Sequence, residues 1–140
     1  MTPIEEKPRA RRWLAAGALS GLLAVAFGAF ASHGLAGLPE ERAGWIDIAL
    51  RYQMLHSVAL LAVGLLGGAR PGRLLEGAGI AFVGGLLVFS GLLYAMGLGA
   101  PRWLGALVPL GGLSYLAGWG ALLAFALKRP RRPETTEGSR

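Results

Sequence analysis

The chain has 140 residues, of which 54% are hydrophobic, 23 are glycine and only 16% are charged. An average soluble domain carries roughly 25% charged residues, so this composition argues against a soluble domain and excludes a disordered or collagen-like chain. The sequence has no cysteine, which also excludes disulfides, thiolate catalysis and cysteine-ligated metals.

Four long segments contain no charged residue, and each is long enough to cross a bilayer, which takes about 20 mostly apolar residues. These segments are 13–39, 52–69, 77–101 and 103–127. The pattern predicts an all-α, four-helix transmembrane bundle of two antiparallel hairpins. The membrane domain is expected over residues 11–129, with spans at about 11–33, 46–69, 76–98 and 103–127. A basic tail of residues 1–10 precedes it, and a disordered tail of residues 130–140 follows it.

The first span has a second interpretation. It follows Arg11-Arg12 and contains Ala29-Phe30-Ala31, a combination that resembles a secretory signal and its cleavage site. Against cleavage, the charge-free run continues to Pro39, and Gly17-x-x-x-Gly21 is a small-residue pair typical of helix packing in lipid. We therefore expect a retained, full-length first helix; a mature chain beginning at Ser32 would contradict this.

The second helix has a strong start signal at Pro39-Glu40-Glu41, with proline at the first position and acids in the first turn. A helix from there to Ala69 is too long for the bilayer, so its first turns are expected at the interface. Asp47 and Arg51 have the spacing of an ion pair on this helix. Three tryptophans at span ends are expected to act as interface anchors, namely Trp13, Trp45 and Trp103.

Polar side chains inside the spans are few, and none of them is charged apart from Asp47 and Arg51 at the margin of the second helix. The absence of an intramembrane carboxylate argues against an ion-coupled transporter. Counting 1.5 Å per residue from Leu50 places His56 about 9 Å below the outer boundary. Six polar residues fall at a similar predicted level in the outer half: His33, Tyr52, Gln53, His56, Ser90 and Tyr94. We expect His33, Gln53, His56 and Tyr94 to form a hydrogen-bonded clasp.

Small and helix-breaking residues predict close contacts between helices. Gly64-x-x-x-Gly68 in the second span is expected to be a packing surface in the core or between copies of the chain. Pro109 and Gly111-Gly112 in the fourth span are expected to break the helix and to let another backbone approach.

Several of these residues together resemble a known family. The chain contains Gly28-Ala-Phe-Ala-Ser-His33-Gly-Leu, Tyr52-Gln-x-x-His56, Phe89-Ser-Gly-x-x-Tyr94, Pro109-x-Gly-Gly112 and Gly118-Trp119. In this order and at these spacings, they are similar to the signatures of the small membrane-protein family known as domain of unknown function 423, which is similar to transmembrane protein 256. The resemblance covers roughly residues 13–132 and implies four inner-membrane spans and an uncleaved first helix. It implies no activity, and the chain departs from the pattern at Ala31, Ser32 and Val108.

Two classes of function remain after these exclusions. The first is a non-catalytic structural or accessory membrane component, with the lipid bilayer as partner, or a homo-oligomer or larger membrane complex. The second is a small protein that binds a lipid, a quinone or a metal through the polar cluster. No nucleophile has a base and an acid at useful spacing, so we expect no enzyme activity and no cofactor. Nine of the fourteen basic residues lie in the two tails, which indicates topology signals rather than a nucleic-acid surface.

The distribution of basic residues predicts the orientation. Eleven lie in the two tails and the 70–76 loop, and three lie in the first and third loops. Because basic residues in short loops stay cytoplasmic, both termini should be cytoplasmic. Reporter fusions at residue 36 should therefore report outside, and fusions after residues 72 and 132 should report inside. A cytoplasmic signal at residue 36 would overturn this orientation.

Overall fold

The structure, a computed structural model, describes residues 8–128, and this part of the chain is helical with no strand. It contains four helices that are long and apolar enough to cross a membrane. They are α1 (Pro8–Gly34), α2 (Glu40–Ala69), α3 (Arg73–Gly97) and α4 (Arg102–Leu127). The predicted all-α, four-helix transmembrane architecture is thereby confirmed. The predicted tail of residues 130–140 and most of the predicted tail of residues 1–10 lie outside the described residues.

Helices α2 and α3 form the centre of the bundle. They pack against each other along their length, while α1 packs mainly on α2 and α4 mainly on α3. Accordingly, a larger share of α2 and α3 than of α1 and α4 is buried inside the protein. The central hydrophobic cluster includes Trp13, Leu60, Val63, Phe82 and Tyr115. The outward faces of α1 and α4 carry exposed leucines, as expected for helices that face lipid chains.

At one end of the bundle, which we call the Arg42 end, α1 and α3 finish and α2 and α4 begin. The Nε of Arg42 donates to the carbonyl oxygen of Gly97 at 2.8 Å, and it thereby satisfies one of the carbonyls left without a partner at the end of α3. The turn that follows requires Gly99, whose φ is +115°, a conformation that side chains disfavour. The predicted ion pair between Asp47 and Arg51 is present at 2.7 Å.

At the opposite end, which we call the Arg12 end, α1 begins, α2 connects to α3, and α4 finishes. Arg12 forms an ion pair with Glu76 of α3, and the guanidinium carbon of Arg12 lies 4.5 Å from the centroid of the Trp13 ring. The expectation that Trp13 is an interface anchor is wrong, because Trp13 is 8% exposed and belongs to the central cluster. Its ring packs over Gly79, where a side chain on α3 would exclude it.

One turn of α3 is wider than an α-helical turn. Residues Leu86–Ser90 form a π-helical turn, in which the N–H of Gly91 bonds to the carbonyl of Leu86. The backbone of Phe89 in this turn meets α4 at Gly111: a Cβ on Gly111 would lie 2.7 Å from the Cβ of Phe89 and closer still to its backbone nitrogen. Gly111 therefore admits the neighbouring backbone, whereas Gly112 has only loose contact with the Phe89 ring.

Pro109 does not break α4 in the middle. Helix α4 starts as a 3₁₀-helical segment, Arg102–Ala106, and its α-helical part begins at Val108, so that Pro109 occupies its first turn. Proline is tolerated there because the N–H that it lacks has no helical partner in the first turn. Pro109 therefore marks the change from one helix type to the other.

The remaining small residues differ in how closely they bring α1 and α2 together. A Cβ on Gly64 would lie 2.6 Å from Leu14, and a Cβ on Gly17 would lie 2.8 Å from the carbonyl oxygen of Ser57. At Gly68 the nearest atom, in Ala10, would be 4.0 Å away. Gly64 is thus required for close packing within the chain, while Gly68 is not.

The contact at Gly111 can be tested with a matched glycine on the same helix. Gly111→Ala should lower the free energy of unfolding by about 1–3 kcal/mol, because the added methyl group overpacks a rigid backbone. Gly120→Ala should not destabilise, since nothing lies within 4 Å of its Cβ position and alanine favours helix. Thermal melting in detergent measures both. Equal behaviour of the two variants would show that α4 does not approach Phe89 this closely.

Candidate functional site

His56 is the most deeply buried polar aromatic residue of the bundle, with 2% of its surface exposed. Its Nδ1 lies 2.7 Å from the carbonyl oxygen of Tyr52, one turn earlier on α2. Its Nε2 lies 3.1 Å from Nε1 of Trp119 on α4. A carbonyl only accepts and an indole N–H only donates, so the ring is neutral, with its proton on Nδ1. Both ring nitrogens are therefore already hydrogen-bonded.

An aromatic stack surrounds this histidine. The Tyr115 ring of α4 lies flat on the His56 ring, with centroids 3.5 Å apart and planes 11° from parallel. The Tyr115 ring fits over Gly85 of α3, where a Cβ would lie 2.8 Å from its Cγ. The hydroxyl of Tyr115 is 3.1 Å from the Oγ of Ser90, in the π-helical turn of α3. The stack thus joins α2, α3 and α4, and we call His56, Ser90, Tyr115 and Trp119 the His56 network.

A second set of hydrogen bonds joins α1, α2 and α3 through Gln53. Its Nε2 donates to the carbonyl oxygen of Ser20 at 3.0 Å, and its Oε1 accepts from the hydroxyl of Tyr94 at 2.6 Å. Ser57 donates either to the Oγ of Ser20 or to the Gln53 carbonyl, both of which are 2.7 Å away. We call Ser20, Gln53, Ser57 and Tyr94 the Gln53 network.

The structure therefore brings Gln53 and Tyr94 together, but it places His56 in a different network and His33 in neither. The expected clasp of His33, Gln53, His56 and Tyr94 is wrong in this respect. His33 is exposed near the end of α1. The residue of α1 that reaches Gln53 is Ser20, which lies 13 positions earlier, or about 20 Å along the helix. Tyr52 contributes its carbonyl and a tilted ring contact with Phe89, while 42% of its own surface stays exposed.

The residues of the two networks do not all lie in one half of their helices, since Tyr94 lies in the last turn of α3 but others lie at mid-helix. Tyr115 is halfway along α4 and Ser20 is halfway along α1. The end of the bundle lies beyond Leu50, because α3 and α4 extend beside the first turns of α2. There Arg42 bonds to Gly97, and Arg102 pairs with Glu41. The apolar part of the bundle is therefore longer on that side than the charges of α2 indicate.

Four residues of these networks were missed by the sequence analysis: Ser20, Ser57, Tyr115 and Trp119. The position of Trp119 within the fourth span could have indicated its role. Tryptophan concentrates at the ends of spans, and one placed well inside a span needs a partner for its N–H group. The Ser20 carbonyl that accepts from Gln53 gives no such indication, but the Ser20 hydroxyl, 2.7 Å from the Oγ of Ser57, is a polar group in the middle of a span.

Metal binding has little support from this arrangement. Among residues 8–128, no group of three or more histidine, aspartate or glutamate side chains is close enough to hold an ion. His56 offers no lone pair, since Trp119 occupies its Nε2 and its Nδ1 carries the proton. A metal at Nε2 would have to displace the Trp119 N–H, although the bond from Nδ1 to the Tyr52 carbonyl could remain.

A groove of about 510 Å³ opens between α1 and α3 beside the Gln53 network. Its walls are almost entirely apolar, with Leu19, Leu23, Val83 and Leu87 among them. The polar groups of Ser20, Gln53 and Tyr94 border it, but they hydrogen-bond to one another. The groove therefore suits a hydrocarbon chain better than a polar head group.

Comparison with known proteins agrees with the sequence resemblance. Residues 27–112 match the family described as "Protein of unknown function (DUF423)". The chain is 41% identical to a "UPF0382 membrane protein" of Haemophilus influenzae over 79% of this chain and 90% of that protein. It is 33% identical to the "UPF0382 inner membrane protein YgdD" of Escherichia coli K12, over 82% of this chain and 88% of that protein.

A "UPF0382 membrane protein" of Staphylococcus epidermidis is 38% identical over 80% of this chain and 92% of that protein. No solved structure matches the chain. The residues matched by the family include Gln53, His56 and Tyr94. Tyr115 and Trp119 lie after the last matched residue. With four membrane-spanning helices and relatives of this similarity, the chain is a membrane protein that belongs to the DUF423 family.

Proposed function

We propose that this protein is a non-catalytic accessory component of the inner membrane, in which the polar residues fasten the helices together. The observation that carries the proposal is the saturation of these residues. Among the described residues, no buried side-chain nitrogen or oxygen lacks a hydrogen-bond partner. An enzyme or a ligand-binding site usually keeps polar groups available for its substrate.

The chemistry of the individual side chains supports this proposal. Ser57 is a potential nucleophile, yet its hydroxyl lies against Ser20 and the Gln53 carbonyl. His56 is the natural base, but its ring is held by Tyr52 and Trp119. The two side chains are neighbours in sequence and point into different networks. No pair of nucleophile and base results.

The membrane and the partners that we propose rest on a relative of the chain and on the exposed faces of α1 and α4. The Escherichia coli relative is named an inner membrane protein, and we propose the same membrane for this chain, with both termini in the cytoplasm. Helices α1 and α4 expose long leucine-rich faces, for example Leu22 and Leu116, each 67% exposed. These faces are available to lipid, to a second copy of the chain or to a larger membrane complex.

Substitution of His56 tests the structural role, with the second histidine as the matched control. His56→Ala removes the stacked ring and leaves the Trp119 N–H without its partner, so it should lower the free energy of unfolding by about 1–3 kcal/mol. His33→Ala should leave the melting temperature unchanged, because His33 is exposed. Thermal melting in detergent and native mass spectrometry are measured on the same samples. Unchanged melting of His56→Ala together with loss of a bound mass would reject the structural role.

A second candidate function is the binding of a lipid or quinone by its hydrocarbon chain. The groove between α1 and α3 favours it, because about 510 Å³ is a sufficient volume for part of such a chain. The polar cluster would then border the ligand without recognising it. This differs from a head-group site at the cluster, because Gln53 and Tyr94 are already bonded to each other.

Filling the groove distinguishes this candidate from the first. Leu87 lines the groove and is 70% exposed, and Leu116 is 67% exposed on α4 outside it. Leu87→Trp should abolish most of the apolar mass that native mass spectrometry finds on the protein extracted in mild detergent, while Leu116→Trp should retain it. Equal retention by both variants, or a wild-type protein without bound mass, would reject the groove as a binding site.

A further inference from the structure

A cavity of about 720 Å³ with both charged and apolar side chains in its wall lies at the Arg12 end, between the beginnings of α1 and α3. Arg9 and Arg12 line it from α1, and Arg73 and Glu76 line it from α3. Three positive side chains and one negative side chain leave an excess of two positive charges. Neither the His56 network nor the Gln53 network reaches this cavity.

The excess positive charge belongs to the two arginines of the cavity that form no ion pair among the described residues. Arg12 forms an ion pair with Glu76, whose other oxygen lies 3.4 Å from Nε1 of Trp13. Within residues 8–128, neither Arg9 nor Arg73 lies within salt-bridge distance of a carboxylate. The cavity therefore presents two guanidinium groups, which bind phosphate oxygens through paired hydrogen bonds.

The backbone adds to the same charge preference. Helix α3 begins at this cavity, after the extended residue Gly72, and no side chain caps it. The N–H groups of its first turn lack helical partners, and the helix dipole favours an anion beside them. Gly72, Arg73 and Leu75 of this turn all line the cavity, so side chains and backbone favour the same kind of ligand.

The apolar side of the cavity indicates what carries the anion. Trp13, Leu75 and Ile80 form part of its wall, and Ile80 is 63% exposed on the membrane-facing surface of α3. One turn further along α3, Val83 belongs to the groove between α1 and α3. A phosphate group in the cavity thus has apolar side chains of α3 beside it for attached hydrocarbon chains, which a free phosphate would not use.

We propose that this cavity binds the head group of an anionic phospholipid, with Arg9 and Arg73 contacting the phosphate and the acyl chains following α3 past Ile80. The site stands apart from the proposed function and from the groove, because none of its lining residues lines the groove. Basic pockets between transmembrane helices are a recurring form of lipid recognition. Here the pocket is built from the first turns of two helices that Arg12 and Glu76 hold together.

Lipid titration of the full-length protein in neutral detergent tests the proposal, with native mass spectrometry as the readout. The wild-type protein should bind phosphatidylglycerol in preference to phosphatidylcholine. The double variant Arg9→Gln/Arg73→Gln should bind phosphatidylglycerol roughly 30-fold more weakly, at about fivefold per basic residue near the head groups. Arg11→Gln/Arg70→Gln removes the same charge from the same end but outside the cavity, and it should weaken binding clearly less than Arg9→Gln/Arg73→Gln does.

Three results would overturn the proposal. Equal loss in the two double variants would show diffuse surface charge rather than a site. Inorganic phosphate that displaces phosphatidylglycerol at equal concentration would show an anion site without lipid selectivity. Wild-type protein that does not distinguish phosphatidylglycerol from phosphatidylcholine would reject the site without recourse to any variant, so that a folding defect in Arg9→Gln/Arg73→Gln leaves the proposal testable.

Discussion

Hydrogen-bonding groups in the interior of a bilayer have no water to bond to, and each unsatisfied group costs several kcal/mol. Helix α2 brings an amide, an imidazole and a hydroxyl into this environment within five residues, at Gln53, His56 and Ser57. Each of them bonds to another helix or to the backbone of α2 itself. These partners lie on all three other helices. The hydrogen bonds that the polar groups of α2 need therefore determine how the whole bundle packs.

The two networks divide this task between the neighbours of α2. Gln53 reaches α1 and α3, whereas His56 reaches α4. Glycines make both connections possible, since Gly17 brings α1 against Ser57 and Gly85 accommodates the Tyr115 ring. The polar residues therefore specify which helices meet, and the small residues let them come close enough for side-chain hydrogen bonds.

The fold was largely predictable from the sequence because length and absence of charge are sufficient to identify a span. The Gln53–Tyr94 contact was within reach for a similar reason: two polar groups on adjacent helices at one level have few other partners. The position of His33 could not be predicted from depth along the bundle, because that depth was counted from the charged part of α2. The count began at Leu50, whereas the end of the bundle lies at Glu41 and Arg42, which bond to α4 and α3. The burial of Trp13 was not predicted for another reason. Tryptophan is common at membrane surfaces, but the absence of a side chain at Gly79 leaves space for the Trp13 ring inside the bundle.

The π-helical turn at Leu86–Ser90 has a consequence for how this helix can change in evolution. A π turn holds one residue more than an α-helical turn, so deletion of a single residue there would give an unbroken α-helix. Because a π turn holds its extra residue in nearly the same rotation and rise as an α-helical turn, the later side chains of α3 would keep their phase, and Tyr94 would still face Gln53. The π-helical turn is thus the one segment of α3 whose length could change by a residue while the contacts of the helix on either side of it stay in place.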